Sequence, residues 1–104
     1  MKRGAIFQYF VGGHRLRVAV ISADRYNPKH GLVAPLRERT PPANVPAFLV
    51  PLGPKDWPTT AAVIDLSHMR ALNPDAVDVQ AGALTRDTLA RLDLAVRTYL
   101  GGHA

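Results

Sequence analysis

The chain has no cysteine in its 104 residues. That absence excludes disulfides and thiolate metal sites, and a cytoplasmic setting is the natural expectation. No apolar run approaches the roughly 18 residues that a membrane helix needs. The opening Met1-Lys2-Arg3-Gly4 lacks the long apolar segment of a secretory signal. The four histidines, His14, His30, His68 and His103, lack the spacing of a zinc site. No phosphate loop or dinucleotide fingerprint occurs, and no internal repeat or low-complexity tract is visible. The length points to one domain over 1–104, large enough to bury a core without covalent staples.

What is present is positive charge, unevenly spread. The net charge is +5. Residues 1–40 carry eight Lys or Arg against two carboxylates, and residues 41–104 carry five against six. The whole excess therefore lies in the first 40 residues. A basic field so concentrated favours a polyanionic partner such as nucleic acid, although a soluble protein of high isoelectric point fits charge alone equally well. Ten of the thirteen cations are arginine, whose planar fork of donors matches a phosphate.

Residues 2–10 and 15–22 are rich in β-formers and flank Gly12-Gly13, which predicts a hairpin. In the second run Leu16, Val18 and Val20 alternate with Arg15 and Arg17. Residues 23–31 read as a loop with a short helical turn, 31–37 as a third strand and 46–52 as a fourth. Prolines at both ends of that fourth run suit an edge strand or a strand terminus. The run 61–72 is ambiguous between strand and helix. Val77 to Ala83 alternates like a strand. Thr85 is a good N-cap, and Leu89, Leu92, Val96, Tyr99 and Leu100 recur at helical spacing up to Gly101-Gly102. Asp87 with Arg91, and Asp93 with Arg97, stand four apart as helix-surface ion pairs. Short strands followed by one amphipathic helix give an α+β class with a small curved sheet or barrel.

In this order of segments the chain resembles the MazF/PemK toxins of toxin–antitoxin pairs, a family whose relatives include Kid and CcdB. The opening Lys2-Arg3-Gly4-Ala5-Ile6-Phe7 carries the likeness first. The strand Gly13-His14-Arg15-Leu16-Arg17-Val18-Ala19-Val20-Ile21-Ser22 and the turn Asp24-Arg25-Tyr26-Asn27 continue it. Val33-Ala34-Pro35-Leu36, then Val63 to Leu72, then Gly82 to Gly101 complete it. Each piece alone is a weak signal, and the ordered set is more specific. The resemblance implies a strongly curved antiparallel sheet, SH3-like and barrel-forming, with a C-terminal helix. It also implies a homodimer and a cognate antitoxin that lays an acidic segment into the basic groove.

The activity so implied is sequence-specific, metal-independent cleavage of single-stranded RNA, with no cofactor. The ribose 2′-OH attacks the adjacent phosphorus, which needs a base, an acid and a cation or donor on the phosphoryl oxygens. Arg15 stands where the family has its catalytic arginine. Arg37 stands where the family has Thr or Ser, so a hydroxyl donor has become a cation; Thr40 offers a nearby hydroxyl. His68 replaces a frequent Gln, and imidazole gains and loses protons near neutrality. By residue type alone, His68 also reads as a half-buried histidine satisfied by backbone, and Arg15 as a solvated strand charge. His14, Arg17, Arg39 and Arg70 are candidate substrate contacts, and Asp65 is placed to orient an arginine or merely to end a strand.

Two further departures bear on specificity. Leu16 replaces the usual proline, and the first hairpin loop, Val11 to His14, is short where the family's loop helps gate substrate. Trp57, in a proline-flanked loop, is a candidate for base stacking, packing or antitoxin contact. Two alternatives stay open at this point. One is an RNA-binding module of the same fold with altered catalysis, favoured by Arg37 and Leu16. The other is a CcdB-like gyrase poison, disfavoured because the ending Gly101-Gly102-His103-Ala104 has no tryptophan-containing tail.

Overall fold

Gly12 (φ 56°) and Gly13 (φ 81°) both take positive φ. A two-residue hairpin turn of type I′, whose twist matches that of its strands, requires that pairing. The turn joins β1 (Ala5–Val11) to β2 (His14–Val20) and sets Val11 opposite His14 and Phe10 opposite Arg15. The computed structural model describes residues 2–26, 29–56 and 62–101. The readings made above for Asn27, for Trp57 and for the tail beyond Gly101 lie outside those residues.

Strand β3 (Leu32–Arg37) pairs antiparallel with β2, Val18 facing Pro35 and Val20 facing Val33. Its other edge is shared. Val33 pairs with Arg70 of the two-residue strand β6 (Arg70–Ala71), while Leu36 and Arg37 pair with β5 (Val63–Asp65). Beyond β5 lies β4 (Leu49–Pro51), and β7 (Val77–Ala83) pairs with the free edge of β1. Irregular register between β1 and β7 marks bulges, which sharpen local twist. The ladder runs β4-β5-β3-β2-β1-β7, with β6 off this path on β3. The sheet is thus strongly curved but open, ending at β4 and β7, and the barrel of the sequence reading does not close.

Three local outcomes refine the sequence reading. The fourth strand is shorter than 46–52, because the Pro46 carbonyl accepts the Leu49 N–H (3.0 Å) in a turn. The ambiguous run 61–72 divides into β5, a 3-10 turn over Leu66–His68, and β6. Val18, Ala19 and Val20 are all buried instead of alternating, because both faces of the curved sheet carry a core. Ile6, Ala19, Ala34, Ile64 and Leu66 pack beneath the helix around Leu92. Tyr9, Val18, Val20 and Val33 pack on the other face against Leu72 and Ala76.

The helix α1 (Arg86–Tyr99) begins at Thr85, whose hydroxyl accepts the Thr88 N–H (3.3 Å). Leu92 is fully buried, and Leu89 and Val96 pack beside it. Tyr99 and Leu100 do not complete the buried stripe: Tyr99 meets the ring of Phe48 (centroids 5.9 Å apart), and both residues are exposed among the described residues. Asp87 pairs with Arg91 (3.6 Å). Asp93 does not pair with Arg97; it receives Arg3 from ahead of β1, tying the two ends of the fold together. No helix among the described residues is long and apolar enough to cross a membrane.

Candidate functional site

The end of β3 and the end of β5 lie side by side, Arg37 opposite Val63 and Leu36 opposite Ile64. Ile64 and Leu36 turn into the core under the helix, so strand alternation sends Arg37 and Asp65 to the other face. Asp65 then caps the 3-10 turn that follows, and its extended backbone (φ −102°, ψ 98°) lets the carboxylate fold back over Ser67.

That carboxylate is buried and surrounded by donors. Its Oδ2 accepts Arg37 Nε–H at 2.8 Å and lies 2.9 Å from His68 Nδ1. Its Oδ1 accepts the Ser67 N–H at 3.0 Å and the Ser67 hydroxyl. Burial alone raises the Asp65 pKa; the bonds from the Ser67 hydroxyl, Arg37, His68 and the Ser67 N–H outweigh it and hold the group down at about 2. The imidazole itself is open, with 56% of the His68 side chain exposed. Only Nε of Arg37 is engaged by Asp65, so the terminal nitrogens of its guanidinium remain outside this bond.

A second feature lies around β2. Gln8, Arg15, Leu16, Arg17, Leu36, Glu38 and Ala62 line a groove of about 400 Å³. Arg17 Nη1 pairs with Glu38 Oε1 at 3.2 Å. Arg15 is different. Its guanidinium rests over the Phe10 ring, 5.1 Å from the centroid, and among the described residues it has no carboxylate partner. A stacked arginine without a counter-charge offers its donor fork to an incoming anion.

The residues singled out from the sequence therefore fall into two groups. Asp65, Arg37 and His68 are bonded together, and Arg15 and Arg17 line the groove. The groups adjoin at the end of β3, where Leu36 and Glu38 line the groove on either side of Arg37 in sequence. No hydrogen bond or ion pair among the described residues joins Arg15 to Arg37 or His68. His14 is exposed at the start of β2, and Arg39 and Thr40 are exposed in the segment after β3, outside both groups. Arg70 on β6 is half-buried, and its Nε is buried without a hydrogen-bond partner.

Sequence reasoning missed Ser67 and Glu38. For Ser67 a signal existed: Asp two residues before it is the spacing at which an Asp side chain accepts a backbone N–H. For Glu38 there was none, because a cross-strand partner of Arg17 follows from register and not from spacing.

With that geometry in place, likeness to known proteins becomes informative. The family model for PemK-like, MazF-like toxins of type II toxin–antitoxin systems matches residues 2–100. The chain belongs to that family. No curated protein sequence matches it. A mycobacterial endoribonuclease solved in complex with its cognate antitoxin shares the fold at a TM-score of 0.80 and 21% identity, over 100% of this chain and 98% of that one. The MazE–MazF complex of Deinococcus radiodurans gives 0.75 and 22%, over 97% and 95%. The Mycobacterium tuberculosis toxin MazF-mt6 gives 0.77 and 15%, over 93% and 96%. At such identities the structural likeness shows the fold, and the functional residues must be argued from this chain.

Proposed function

We propose that this MazF-like toxin is an endoribonuclease that cuts single-stranded RNA at chosen sequences without a metal ion. The observation that carries the reading is Arg15. It matches the family's catalytic arginine, lines a concave groove in the basic N-terminal part of the chain, and among the described residues has no carboxylate to neutralise it. An arginine so placed stabilises the charge that grows on the phosphoryl oxygens as the 2′-OH attacks. Arg37 and His68 supply a second cation and a titratable ring at the adjoining strand end. Arg17, Arg39, Arg70 and His14 contribute further phosphate contacts, and Thr40 lies near enough in sequence to lend a hydroxyl.

The proposal includes a homodimer and a cognate antitoxin. The exposed Leu94, Tyr99 and Leu100 at the end of α1 leave apolar surface for an interface. The mycobacterial endoribonuclease solved in complex with its cognate antitoxin, and the MazE–MazF structure, support the second partner. An acidic antitoxin segment suits the groove of Arg15 and Arg17, and a cytoplasmic location follows from an RNA substrate.

A second reading rests on one specific observation. Arg37, standing where the family has a hydroxyl, is held by Asp65; on this reading the chain binds RNA without cutting it. Incubation of a long single-stranded RNA with the purified protein in EDTA, beside Arg15→Ala, separates the two. Cleavage that survives EDTA and disappears in the variant supports the nuclease. RNA that stays intact at high protein concentration, yet is bound tightly, selects the second reading.

A further inference from the structure

We propose that Asp65 and His68 form an acid–base dyad, in which Asp65 fixes the imidazole tautomer so that His68 Nε2 takes the proton from the attacking 2′-OH. The inference rests on the nuclease reading above and assigns it a base.

The geometry decides the tautomer. An ionised carboxylate only accepts hydrogen bonds. Asp65 Oδ2 lies 2.9 Å from His68 Nδ1, so Nδ1 must carry the hydrogen and donate it. The neutral ring then keeps its lone pair on Nε2. Ser67 Oγ, 3.0 Å from Nδ1, cannot reverse this, because the hydroxyl already donates to Asp65 Oδ1. The carboxylate is itself immobilised by the Ser67 N–H, the Ser67 hydroxyl and Arg37, and 7% of its side chain is exposed. A buried, fixed carboxylate behind an exposed imidazole is the arrangement that orients a base and stabilises the cation it becomes.

Among the described residues, the charged group from outside the turn that bonds to the dyad is Arg37. Arg37 at the end of β3 shares Asp65 Oδ2, and β4, which also packs on this turn, contributes only Leu49, Val50 and Pro51. When the 2′-oxygen bonds to phosphorus, the bond to the leaving 5′-oxygen breaks. The 2′-OH proton passes to His68 Nε2, and the leaving oxygen takes a proton from water. The imidazolium then returns its proton to water, so the reaction yields a 2′,3′-cyclic phosphate and a 5′-hydroxyl with no other reagent. His68 is the catalytic residue here, and Asp65 is a positioning residue.

The test has two arms. Nitrogen-15 NMR of the intact protein, with the His68 ring assigned by His68→Gln, reads the tautomer without any substrate. Hydrogen on Nδ1 in the wild type, and its movement to Nε2 in Asp65→Asn, is the expected result; hydrogen on Nε2 in the wild type overturns the proposal even if RNA is never cut. The second arm follows cleavage against pH. His68→Gln, at an exposed position, should fold normally and lower kcat by about 100-fold. Asp65→Asn should lower kcat about tenfold with KM within about twofold while keeping a pH-dependent rate, and His68→Gln should lose the part of that pH dependence which the imidazole supplies. Wild-type-like rates in His68→Gln overturn the dyad while leaving the nuclease intact. Uncut RNA with the wild type refutes the nuclease and with it the base role of His68, and the tautomer result then decides only whether Asp65 orients the ring.

Discussion

Arg37 reaches Asp65 through Nε alone, at 2.8 Å, in a pair whose two members differ sharply in exposure: 45% of the arginine side chain is open against 7% of the carboxylate. The two residues therefore do not contribute symmetrically. Arg37→Ala leaves Asp65 with both Ser67 donors and His68, and a pair this open on one side costs about 0–1 kcal/mol to lose. Asp65→Ala strips the acceptor from Ser67 and Arg37 together and should cost about 2–3 kcal/mol. Urea unfolding of both variants checks the order. A larger loss in Arg37→Ala would mean that the cation, not the serine turn, holds the buried charge.

The same carboxylate sets a pH dependence. Asp65 falls from 3.8 to about 2 in the folded chain, so the unfolded chain takes up its proton first as pH drops. Its contribution to stability is present above the unfolded value and is lost as pH falls from about 5 to about 2. The shift corresponds to roughly 2 kcal/mol. Stability measured by urea at pH 6, 4 and 3 should decline in the wild type and decline less in Asp65→Asn. Equal slopes would refute the assignment.

A second buried carboxylate locks the helix to the rest of the fold. Asp56 accepts the Thr85 N–H (2.6 Å), the Gly53 N–H (2.6 Å) and the Thr88 hydroxyl at the start of α1. Burial raises its pKa, and these bonds more than offset that, so the net direction is downward. Asp56→Ala leaves the fully buried Thr88 hydroxyl and two N–H groups without their acceptor, which should cost about 3 kcal/mol or more. Asp56→Asn should fall between the two in thermal unfolding. A variant as stable as wild type would show that water replaces the lock.

What the sequence made legible was local. The Gly12-Gly13 turn, the strand at Val77–Ala83 and the Thr85 cap each depend on residues within a few positions of one another, and each appears where the pattern put it. The double-faced burial of Val18 to Val20 was not legible, because it depends on how far the sheet curls. Nor was the exposure of Tyr99 and Leu100, which continue the helical spacing beyond Leu92 but stay open among the described residues. The candidate site divides in the same way. Asp65, Ser67 and His68 are neighbours in sequence, while Arg37 joins them only through the β3–β5 register, and Asp93 finds Arg3 across the whole chain.

Arg15 and Glu38 should alter RNA binding in opposite directions. Both line the groove, but among the described residues Arg15 has no carboxylate partner while Glu38 offsets Arg17. Each phosphate contact to a single strand releases counterions and adds about −0.7 to the slope of log affinity against log salt. Arg15→Ala should therefore flatten that slope by about 0.7. Glu38→Gln relieves Arg17 of that opposing charge and should steepen it and tighten binding. The measurement uses a 2′-O-methyl RNA, which lacks the attacking hydroxyl and so reports binding alone. If both variants flatten the slope, or neither moves it, the RNA backbone does not run through this groove, and the exposed Arg39 becomes the place to look for its path.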